Sequence, residues 1–599
     1  MKPLLASLDL AVIGNGQINA LIDQRGAIVW SCMPRPDAEP VFARLLATPA
    51  KPAYAAAFAV EMQGFKRATQ QYERNTAIVV TELHDANGGA VRVTDFCPRF
   101  RQLGRMFHPV MIVRIVEPLA GRPLVRLHCK PYGAYGAHEL RARRGSNHLR
   151  YTATAIDLRL TSDCPLTALT DDRPFVVTES FALIFGNDEA PDDSVLRLSL
   201  RMLESTREYW HEWVRSLAIP FHWQDEVIRA AVTLKLCTYE DSGAVLAALT
   251  TSIPEAANSG RNWDYRYCWL RDSYFVVQAL NRLGTTATME AYLRFILNIA
   301  AAGNGKVPQP LYSVTGVAAL DESSVDSLDG YRGMGPVRIG NAAYTQMQHD
   351  TYGAVILAVS QAFFDSRLLN PGNRDLFVEL EIMGRHAVAS FGKPDAGIWE
   401  FRERAQAHTY SSVMCWAACD RLSRIAVRLA LRARASYWRR QADRIKVAIL
   451  KAAWNKQQQS FVSHHGGKHV DASLLLIPEV GFLPADDPRF LKTLARIEKD
   501  LRRGPYLMRY AEVDDFGAPE SAFNICTFWY INALAATGRK PEARELFEHM
   551  LSRRTSAGLL SEDMHLATGE AWGNYPQTYS LVGIIECAQR LSPTWEQAL

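Results

Sequence analysis

Apolar and polar positions follow two different periods along this chain, and the change falls near residue 200. Before it, short runs of β-branched and aromatic residues alternate with turn sequences such as Asp85-Ala-Asn-Gly-Gly89, a pattern typical of strands joined by tight turns. The predicted strands occupy residues 27–30, 76–84, 90–96, 109–118, 124–130 and 175–186. Because no helical pattern separates these runs, we expect an antiparallel β-sandwich or barrel in this half.

Beyond residue 200, apolar positions recur at helical spacing, beginning with residues 199–217, which are expected to link the two halves. The further predicted helices occupy residues 225–240, 272–283, 342–364, 410–431, 437–454, 521–538, 541–553 and 576–591. Consecutive helices with hardly a strand between them indicate a closed ring of paired helices or a helical solenoid, and the lack of a short fixed repeat favours the ring. We therefore divide the chain into a β domain (1–198), a helical linker (199–220) and a helical domain (221–599).

Long connections between the predicted helices are rich in aromatic residues, arginines and acids. They occupy residues 250–270, 303–340, 392–410, 503–520 and 555–575. Connections longer than about 12–15 residues are uncommon in a compact domain and are often functional. If all five meet at one end of a helical ring, they form a single polar cleft with aromatic walls.

Composition narrows the possible classes of function. The chain has 599 residues, and 67 Lys and Arg against 63 Asp and Glu give a formal net charge of +4. So balanced a charge lacks the excess of positive residues that is typical of proteins that bind nucleic acid or an anionic membrane. Aromatic residues make up 10% of the chain. Most are expected in the cores, and a minority can line a site for a ring-shaped, hydroxyl-rich ligand.

The cysteines and the N-terminal segment favour a cytoplasmic protein. The ten cysteines are scattered through apolar segments, with no Cys-x-x-Cys pair and no histidine at zinc spacing, so we expect free thiols and no metal site. Asp9 interrupts the first apolar run, which argues against a secretory signal. No run approaches the ~20 apolar residues of a membrane span, and no phosphate-binding or dinucleotide-binding motif points to a cofactor.

The first long loop holds a dense group of aromatic and charged residues, Arg261-Asn-Trp-Asp-Tyr-Arg-Tyr-Cys-Trp-Leu-Arg-Asp272. One interpretation is a buried loop held by salt bridges. The other is sugar recognition, in which aromatic rings stack on the C–H faces of a sugar while arginine and aspartate bind its hydroxyl groups. The residues of this loop alone leave both interpretations open.

Two carboxylates on other loops suit the cleavage of a glycosidic bond. Glu400 follows Trp399 just before a predicted helix, and a carboxyl group against an indole ring is partly desolvated, which suits it to donate a proton. Glu562 lies in the last long segment. Glycoside hydrolysis uses a pair of carboxylates facing one cleft, so the two residues together form a candidate catalytic pair.

The order of these motifs resembles glycoside hydrolase family 15, which includes glucoamylases, glucodextranases and bacterial trehalases. The matching segments are residues 13–46, 261–272, 331–353, 397–403, 411–421, 509–529 and 559–585. They extend over nearly the whole chain in the family's order, and RNWDYRYCWLRD (261–272) is the most specific. The resemblance implies an N-terminal antiparallel β-sandwich, a helical linker and an (α/α)6 barrel, with chemistry that needs no metal or organic cofactor.

The resemblance also implies roles for individual residues. Glu400 would be the general acid and Glu562 the general base. The residues that would bind the substrate are Tyr265 and Trp269 as walls of the glucose subsite, Arg271 and Asp272 on its hydroxyl groups, Trp399 beside the acid and Arg509 near the cleaved bond.

Three further acids compete for the two catalytic roles. Glu403 and Asp563 lie close to the candidate pair in sequence, while Glu570 follows Gly569 in a turn and is interpreted as structural. Asp563 stands where the family has Gln or Glu after the base. That departure bears on the contact to the attacking water and on the leaving-group preference more than on the base itself.

We therefore expect an inverting, exo-acting α-glucoside hydrolase that releases β-glucose from the non-reducing end of a small malto- or isomalto-oligosaccharide. A trehalase of the same family is the alternative. From other classes, a glycoside phosphorylase would replace the base by phosphate, and a sugar-binding protein would bind without turnover. The presence of both carboxylates argues against these two. Neither the linkage nor the oligomeric state follows from the sequence.

Overall fold

The computed structural model describes residues 6–152, 155–303 and 307–599, and an all-β region comes first. Its strands are β1 (Ala11–Gly14), β2 (Asn19–Ile22), β3 (Ile28–Cys32), β4 (Pro40–Phe42), β5 (Phe58–Met62), β6 (Phe65–Tyr72), β7 (Val79–Asp85), β8 (Ala90–Phe96), β9 (Phe100–Gln102), β10 (Arg105–Phe107), β11 (Met111–Ala120), β12 (Leu124–Cys129), β13 (Tyr132–Gly133), β14 (His138–Glu139), β15 (Ala142–Arg144), β16 (His148–Tyr151), β17 (Leu158–Ser162), β18 (Phe175–Val176) and β19 (Phe181–Asn187).

These strands form two antiparallel sheets that pack face to face. One sheet has the order β1-β2-β3-β5-β12-β18 with β4 on β3, and the other has the order β15-β16-β17-β19-β11-β8-β7-β6. Phe42 and Phe58 of the first sheet pack on Phe185 of the second, with ring centroids 5.1 Å and 6.0 Å apart. The predicted β-sandwich is confirmed. The predicted strand 175–186 divides into β18 and β19 because its two ends belong to different sheets.

The α-helices follow in the second half, apart from one short helix inside the sandwich. They are α1 (Leu166–Thr170), α2 (Val195–Arg215), α3 (Gln224–Leu236), α4 (Leu270–Arg282), α5 (Thr286–Gly303), α6 (Asp350–Ser360), α7 (Arg374–Ser390), α8 (Thr409–Arg428), α9 (Arg432–Ala452), α10 (Pro488–Leu501), α11 (Asn524–Ala536), α12 (Lys540–Ser552), α13 (Thr578–Leu591) and α14 (Trp595–Ala598). Helix α2 overlaps the predicted linker, and the two domain boundaries, after residues 198 and 220, stay a prediction.

The helices form two concentric rings. The inner ring runs from α4 to α6, α8, the short 3-10 helix Ala472–Leu476, α11 and α13, and α13 contacts α4 again. Helices α3, α5, α7, α9, α10 and α12 pack around it. Every residue of α6 is buried, as expected for a helix surrounded by others. The ring is the predicted (α/α)6 barrel, with one inner position taken by the 3-10 helix.

Short strands fix the loops at one end of this barrel. The pairs are Cys268–Trp269 with Leu311–Tyr312, Ser323–Val325 with Val337–Ile339, Trp454–Asn455 with Ser460–Phe461, Arg502–Arg503 with Tyr506–Leu507, and Asp563–His565 with both Ser521–Phe523 and Ala571–Trp572. The predicted helix 521–538 is therefore wrong in its first turn, because residues 521–523 pair as a strand before α11 begins. Likewise, the predicted helix 342–364 contains α6 flanked by 3-10 turns.

No helix in the three described ranges has both the length and the apolar character needed to cross a membrane.

One buried ion pair joins the two sheets of the sandwich. Arg114 of β11 is paired with Asp95 of β8 (Nε to Oδ1, 2.7 Å), and both side chains are fully buried. The same guanidinium donates to the carbonyl oxygens of Phe58 and Gly26, which belong to the facing sheet and its turn. Removing one partner of such a pair leaves a buried charge without compensation.

We therefore expect Arg114→Ala to lower the free energy of unfolding of the sandwich by about 3–5 kcal/mol. The matched control is Arg92→Ala on β8, whose pair with Glu82 is partly exposed and should change stability by less than about 1 kcal/mol. Urea denaturation followed by circular dichroism measures both. Equal small changes in the two variants would contradict the structural importance of the Arg114 pair.

Candidate active site

The long loops predicted from the sequence meet at one end of the barrel and line one cavity. Four of the five contribute residues directly. The loop 303–340 does not, and the turn that follows it supplies Asn341, Ala343 and Gln346 instead. All eight predicted site residues line this cavity, namely Tyr265, Trp269, Arg271, Asp272, Trp399, Glu400, Arg509 and Glu562. Residues up to 297 positions apart in sequence, Tyr265 and Glu562, therefore meet in one cleft.

Glu400 lies on the loop before α8 and is held by three donors. Its Oε1 accepts hydrogen bonds from Trp269 Nε1 at 2.7 Å, Arg271 Nη2 at 3.0 Å and Gln348 Nε2 at 3.2 Å. Its backbone has a φ of 58°, in the left-handed region that a residue with a Cβ adopts at an energetic cost. Such strain is concentrated at functional sites, and here it accompanies a carboxylate fixed in one orientation.

Arg271 and Asp272 lie at the start of α4, at the buried end of the cleft. Arg271 Nη1 donates to Gln348 at 2.9 Å and to Asp350 at 3.3 Å, and Arg271 Nε is 3.4 Å from Asp272 Oδ1. Burial raises the pKa of Asp272 to about 7, although the charge of Arg271 acts against this. Within the described part of the chain, Asp272 Oδ1 and Arg271 Nε have no hydrogen-bond partner. These two atoms are buried against each other, and both residues line the cleft.

Glu562 is buried on the segment between α12 and α13. Its Oε2 accepts a hydrogen bond from the backbone N–H of Asn574 at 3.2 Å, and its carbonyl oxygen accepts one from the backbone N–H of Asn524 at 2.9 Å. The next residue, Asp563, begins the strand paired with residues 521–523 and accepts a bond from Ser521 Oγ at 3.1 Å. The strand pairing that corrected the predicted helix therefore also positions Glu562.

A third carboxylate, Glu255, belongs to the same group and was not predicted. It accepts hydrogen bonds from Trp263 Nε1 at 3.1 Å and from Arg509. Burial raises the pKa of Glu562 well above its usual range, and the negative charges of Asp563 and Glu255 act in the same direction. Burial and Glu255 also raise the pKa of Asp563 to about 8, against the lowering effect of Arg509. This side of the cleft therefore holds protons more tightly than exposed carboxylates do.

Aromatic rings cover the space between the charged groups. The rings of Tyr265 and Trp269 meet edge to face with centroids 5.3 Å apart. Burial raises the pKa of Tyr265 well above its usual range, and the charges of Glu562, Glu255 and Glu400 raise it further. Tyr265 therefore lies among all three carboxylates.

Trp399 is oriented by a second acid that the sequence did not reveal. Its indole Nε1 donates to Asp471 Oδ2 at 3.0 Å, and its ring lies 5.9 Å from that of Tyr510. Asp471 is buried, which raises its pKa to about 6. Trp529 and Tyr579 of the inner helices also line the cleft. Their only signal in the sequence was an aromatic residue within a helical pattern.

The competing acids lie outside the lining of the cleft. Glu403 is exposed, and its backbone N–H donates to Asp515 at 3.1 Å. Glu570 pairs with Arg332 at 2.8 Å and is partly exposed. Asp563 is buried directly beside Glu562 in sequence, where it alters the electrostatics of that residue. The cavity thus includes Glu400 and Glu562 and leaves out these three.

No group of three or more histidine, cysteine or acidic side chains suited to a metal ion is found among the described residues. All ten cysteines are free thiols, and nine of them are buried. The expectation that no cofactor is needed stays a prediction.

An (α/α)6 barrel behind a β-sandwich, with the buried Glu562, the half-buried Glu400 and an Arg–Asp pair in an aromatic cleft, defines a glycoside hydrolase. The chain belongs to glycosyl hydrolase family 15, because the model of "Glycosyl hydrolases family 15" matches residues 223–589. The model "Trehalase-like, N-terminal" matches residues 8–179. The resemblance found in the sequence is thus confirmed.

Similar proteins cover nearly the whole chain. A trehalase of Thermoplasma volcanium is 33% identical over 98% of this chain and 93% of its own length. A trehalase of Mycobacterium tuberculosis is 31% identical over all of this chain and 91% of its own length. Among solved structures, a bacterial glucoamylase complexed with acarbose superposes with a TM-score of 0.68 at 15% identity, covering 98% of this chain and 94% of that one. This likeness supports the fold.

Gly573 tests how tightly the position of Glu562 is set. It has a φ of 71°, and a Cβ added there would lie 2.6 Å from Glu562 Cβ and 2.8 Å from its Oε2. Because a displacement of about 1 Å can cost on the order of 10²-fold in rate, we expect Gly573→Ala to lose about that much activity. The matched control is Gly538→Ala, also at positive φ but with open space around the added Cβ. Equal kcat values for the two variants in an assay of glycoside hydrolysis would contradict the close fit.

Proposed function

We propose that this enzyme hydrolyses trehalose, the α,α-1,1-linked disaccharide of glucose, with inversion at one anomeric carbon. The observation that carries this proposal is the similarity of nearly the whole chain to relatives named trehalase. The trehalase-like N-terminal model supports the same choice. Together these similarities favour trehalose, the alternative substrate considered from the sequence, over the malto- and isomalto-oligosaccharides that were expected first.

The proposed mechanism assigns the proton donor to Glu400. Three donors already occupy its Oε1, so the proton to be transferred is carried by Oε2. Glu400 donates that proton to the glycosidic oxygen as the bond to the anomeric carbon breaks. The same contacts then stabilise the carboxylate that forms.

Glu562 is the proposed proton acceptor. It takes a proton from a water molecule that attacks the anomeric carbon from the opposite face of the ring. The two carboxyl groups of an inverting pair stand about 6.5–9.5 Å apart to make room for that water. Burial and the neighbouring carboxylates make the ionised Glu562 a strong base. The products are one glucose with inverted configuration and one that keeps its original configuration.

Substrate positioning is assigned to the buried end of the cleft. Arg271 and Asp272 line the cleft there, and a guanidinium and a carboxylate suit the hydroxyl groups of a glucose ring as donor and acceptor. Tyr265 and Trp269 face the ring as apolar walls, while Trp399 lies beside the acid. Arg509, fixed by Glu255, contributes positive charge close to Glu562, where the water is activated.

Substitution of the two acids tests these roles. We expect Glu400→Gln and Glu562→Gln each to lower kcat on trehalose by at least about 10²–10⁴-fold, the usual contribution of a general acid or base. Glu403→Gln, a change to an exposed acid outside the cleft, is the control. Initial rates on trehalose, maltose, isomaltose and a short dextran show the substrate preference. Full turnover in either variant would remove that residue from its role, and trehalose as the poorest substrate would overturn the proposed specificity.

The pH profile tests the electrostatics around Glu562. Because the base must be ionised and its pKa is raised, kcat/KM should fall as the pH drops through a value above that of an exposed glutamate, about 4.3. Asp563→Asn removes a negative charge that raises this pKa, so the acidic limb should move to lower pH. Glu570→Gln, at a partly exposed ion pair outside the cleft, should leave the limb in place. A limb that stays fixed or moves upward in Asp563→Asn would contradict the assignment.

A further inference from the structure

The mouth of the cleft is crossed by a cluster of side chains from separate loops. We call Trp263, Glu322, Arg402, Asp515 and Phe516 the mouth cluster. Trp263, Arg402, Asp515 and Phe516 line the cavity, and Glu322 lies behind Arg402 on the segment before Asn341.

Arg402 is the centre of the mouth cluster. Its Nη1 and Nη2 donate to the two carboxylate oxygens of Glu322 at 3.0 Å and 2.7 Å. The guanidinium carbon lies 4.2 Å from the ring centroid of Trp263 and 6.0 Å from that of Phe516. Because a planar guanidinium can stack on rings while its edge binds a carboxylate, these contacts fix the side chain in one place.

The backbone around Arg402 is fixed to the tip of the loop 503–520. The N–H groups of Arg402 and Glu403 both donate to Asp515 Oδ2, at 2.7 Å and 3.1 Å. The rings of Trp263 and Phe516 meet edge to face at 5.1 Å. The tip is also held from the first loop, since Arg261 Nη2 donates to the carbonyl oxygen of Gly517 at 2.9 Å. Loops that could open independently are thus joined across the mouth.

The distance from the acid to this cluster is short. Only one residue separates Glu400 from Arg402, so their Cα atoms are at most about 7 Å apart. Arg271 and Asp272 are buried at the inner end of the cleft, whereas Phe516 is 37% exposed at the outer end. Glu400, Arg402 and Phe516 line the same cavity, so a leaving group that extends outward from the acid passes Arg402 and Phe516.

We infer that the mouth cluster, centred on Arg402, ends the cleft one sugar beyond the cleaved bond and so restricts the enzyme to disaccharides. A third sugar attached to the leaving glucose would meet the guanidinium and the ring of Phe516. This inference rests on the proposed hydrolysis at Glu400 and does not depend on which glucosidic linkage is cleaved.

The test compares disaccharides with trisaccharides of the same linkage. The pairs are maltose and maltotriose, isomaltose and isomaltotriose, and trehalose with and without a further glucose on O4 of one ring. We expect the wild-type kcat/KM to be lower for the trisaccharide by about 10–200-fold, the discrimination that one misfitting group can give. Arg402→Ala and Phe516→Ala should each raise the ratio of trisaccharide to disaccharide about tenfold. Glu322→Gln, which loosens Arg402, should change the ratio in the same direction.

The control variant is Arg367→Ala, which removes an arginine held by both oxygens of Asp365 on an exposed surface outside the cleft. It should leave the ratio unchanged. A wild type that cleaves both members of a pair equally well would overturn the inference, as would an unchanged ratio in folded Arg402→Ala and Phe516→Ala.

If the wild type cleaves maltose and isomaltose but not trehalose, the proposed function is overturned. The inference is still tested, because the ratio of trisaccharide to disaccharide kcat/KM can be measured with the other two pairs. If the wild type cleaves none of the sugars, calorimetry on Glu562→Gln measures binding of the same pairs. A trisaccharide that binds as tightly as its disaccharide, or no binding of either, would overturn the inference.

Discussion

The guanidinium of Arg271 joins three elements of the inner ring whose relative positions form the cleft. It projects from the first turn of α4, contacts Asp350 at the first turn of α6, and donates to Glu400 on the loop before α8. A buried charge is tolerated only when it is paired and hydrogen-bonded. The three neighbouring elements of the inner ring are therefore held in register by the same group that orients Glu400.

On the other side of the cleft, the positive charge of Arg509 does not offset all the carboxylates around it. Around Arg509, three carboxylates are buried, and the one that Arg509 binds directly is Glu255. Glu562 and Asp563 consequently keep raised pKa values. Glu400 is held by three side-chain donors, whereas Glu562 has one backbone donor and is buried beside the carboxylates of Asp563 and Glu255. Two carboxylates in one cleft thus acquire different environments, which is how acid and base roles are separated in hydrolases of this kind.

The sequence predicted the elements better than their pairing. Periodicity located the sandwich and the ring of helices, and the motifs located Glu400, Glu562 and Arg271. The sequence did not predict the roles of Glu255, Asp471 and Gln348. Each contacts a partner distant in sequence, as Glu255 contacts Arg509, and no local pattern marks such a contact. The strand at residues 521–523 escaped for the same reason, since its partner lies at 563–565. Periodicity reports which face of an element is buried, not which residue it meets.

The product anomers of trehalose hydrolysis in H₂¹⁸O test the central claim most directly. Inversion with Glu400 as acid and Glu562 as base attaches the labelled oxygen to the carbon that water attacks, while the leaving glucose keeps its original oxygen. Proton NMR before the anomers equilibrate should show equal amounts of α- and β-glucose, and mass spectrometry should show one labelled glucose for each unlabelled one. The appearance of α-glucose alone would contradict inversion and the roles given to both carboxylates.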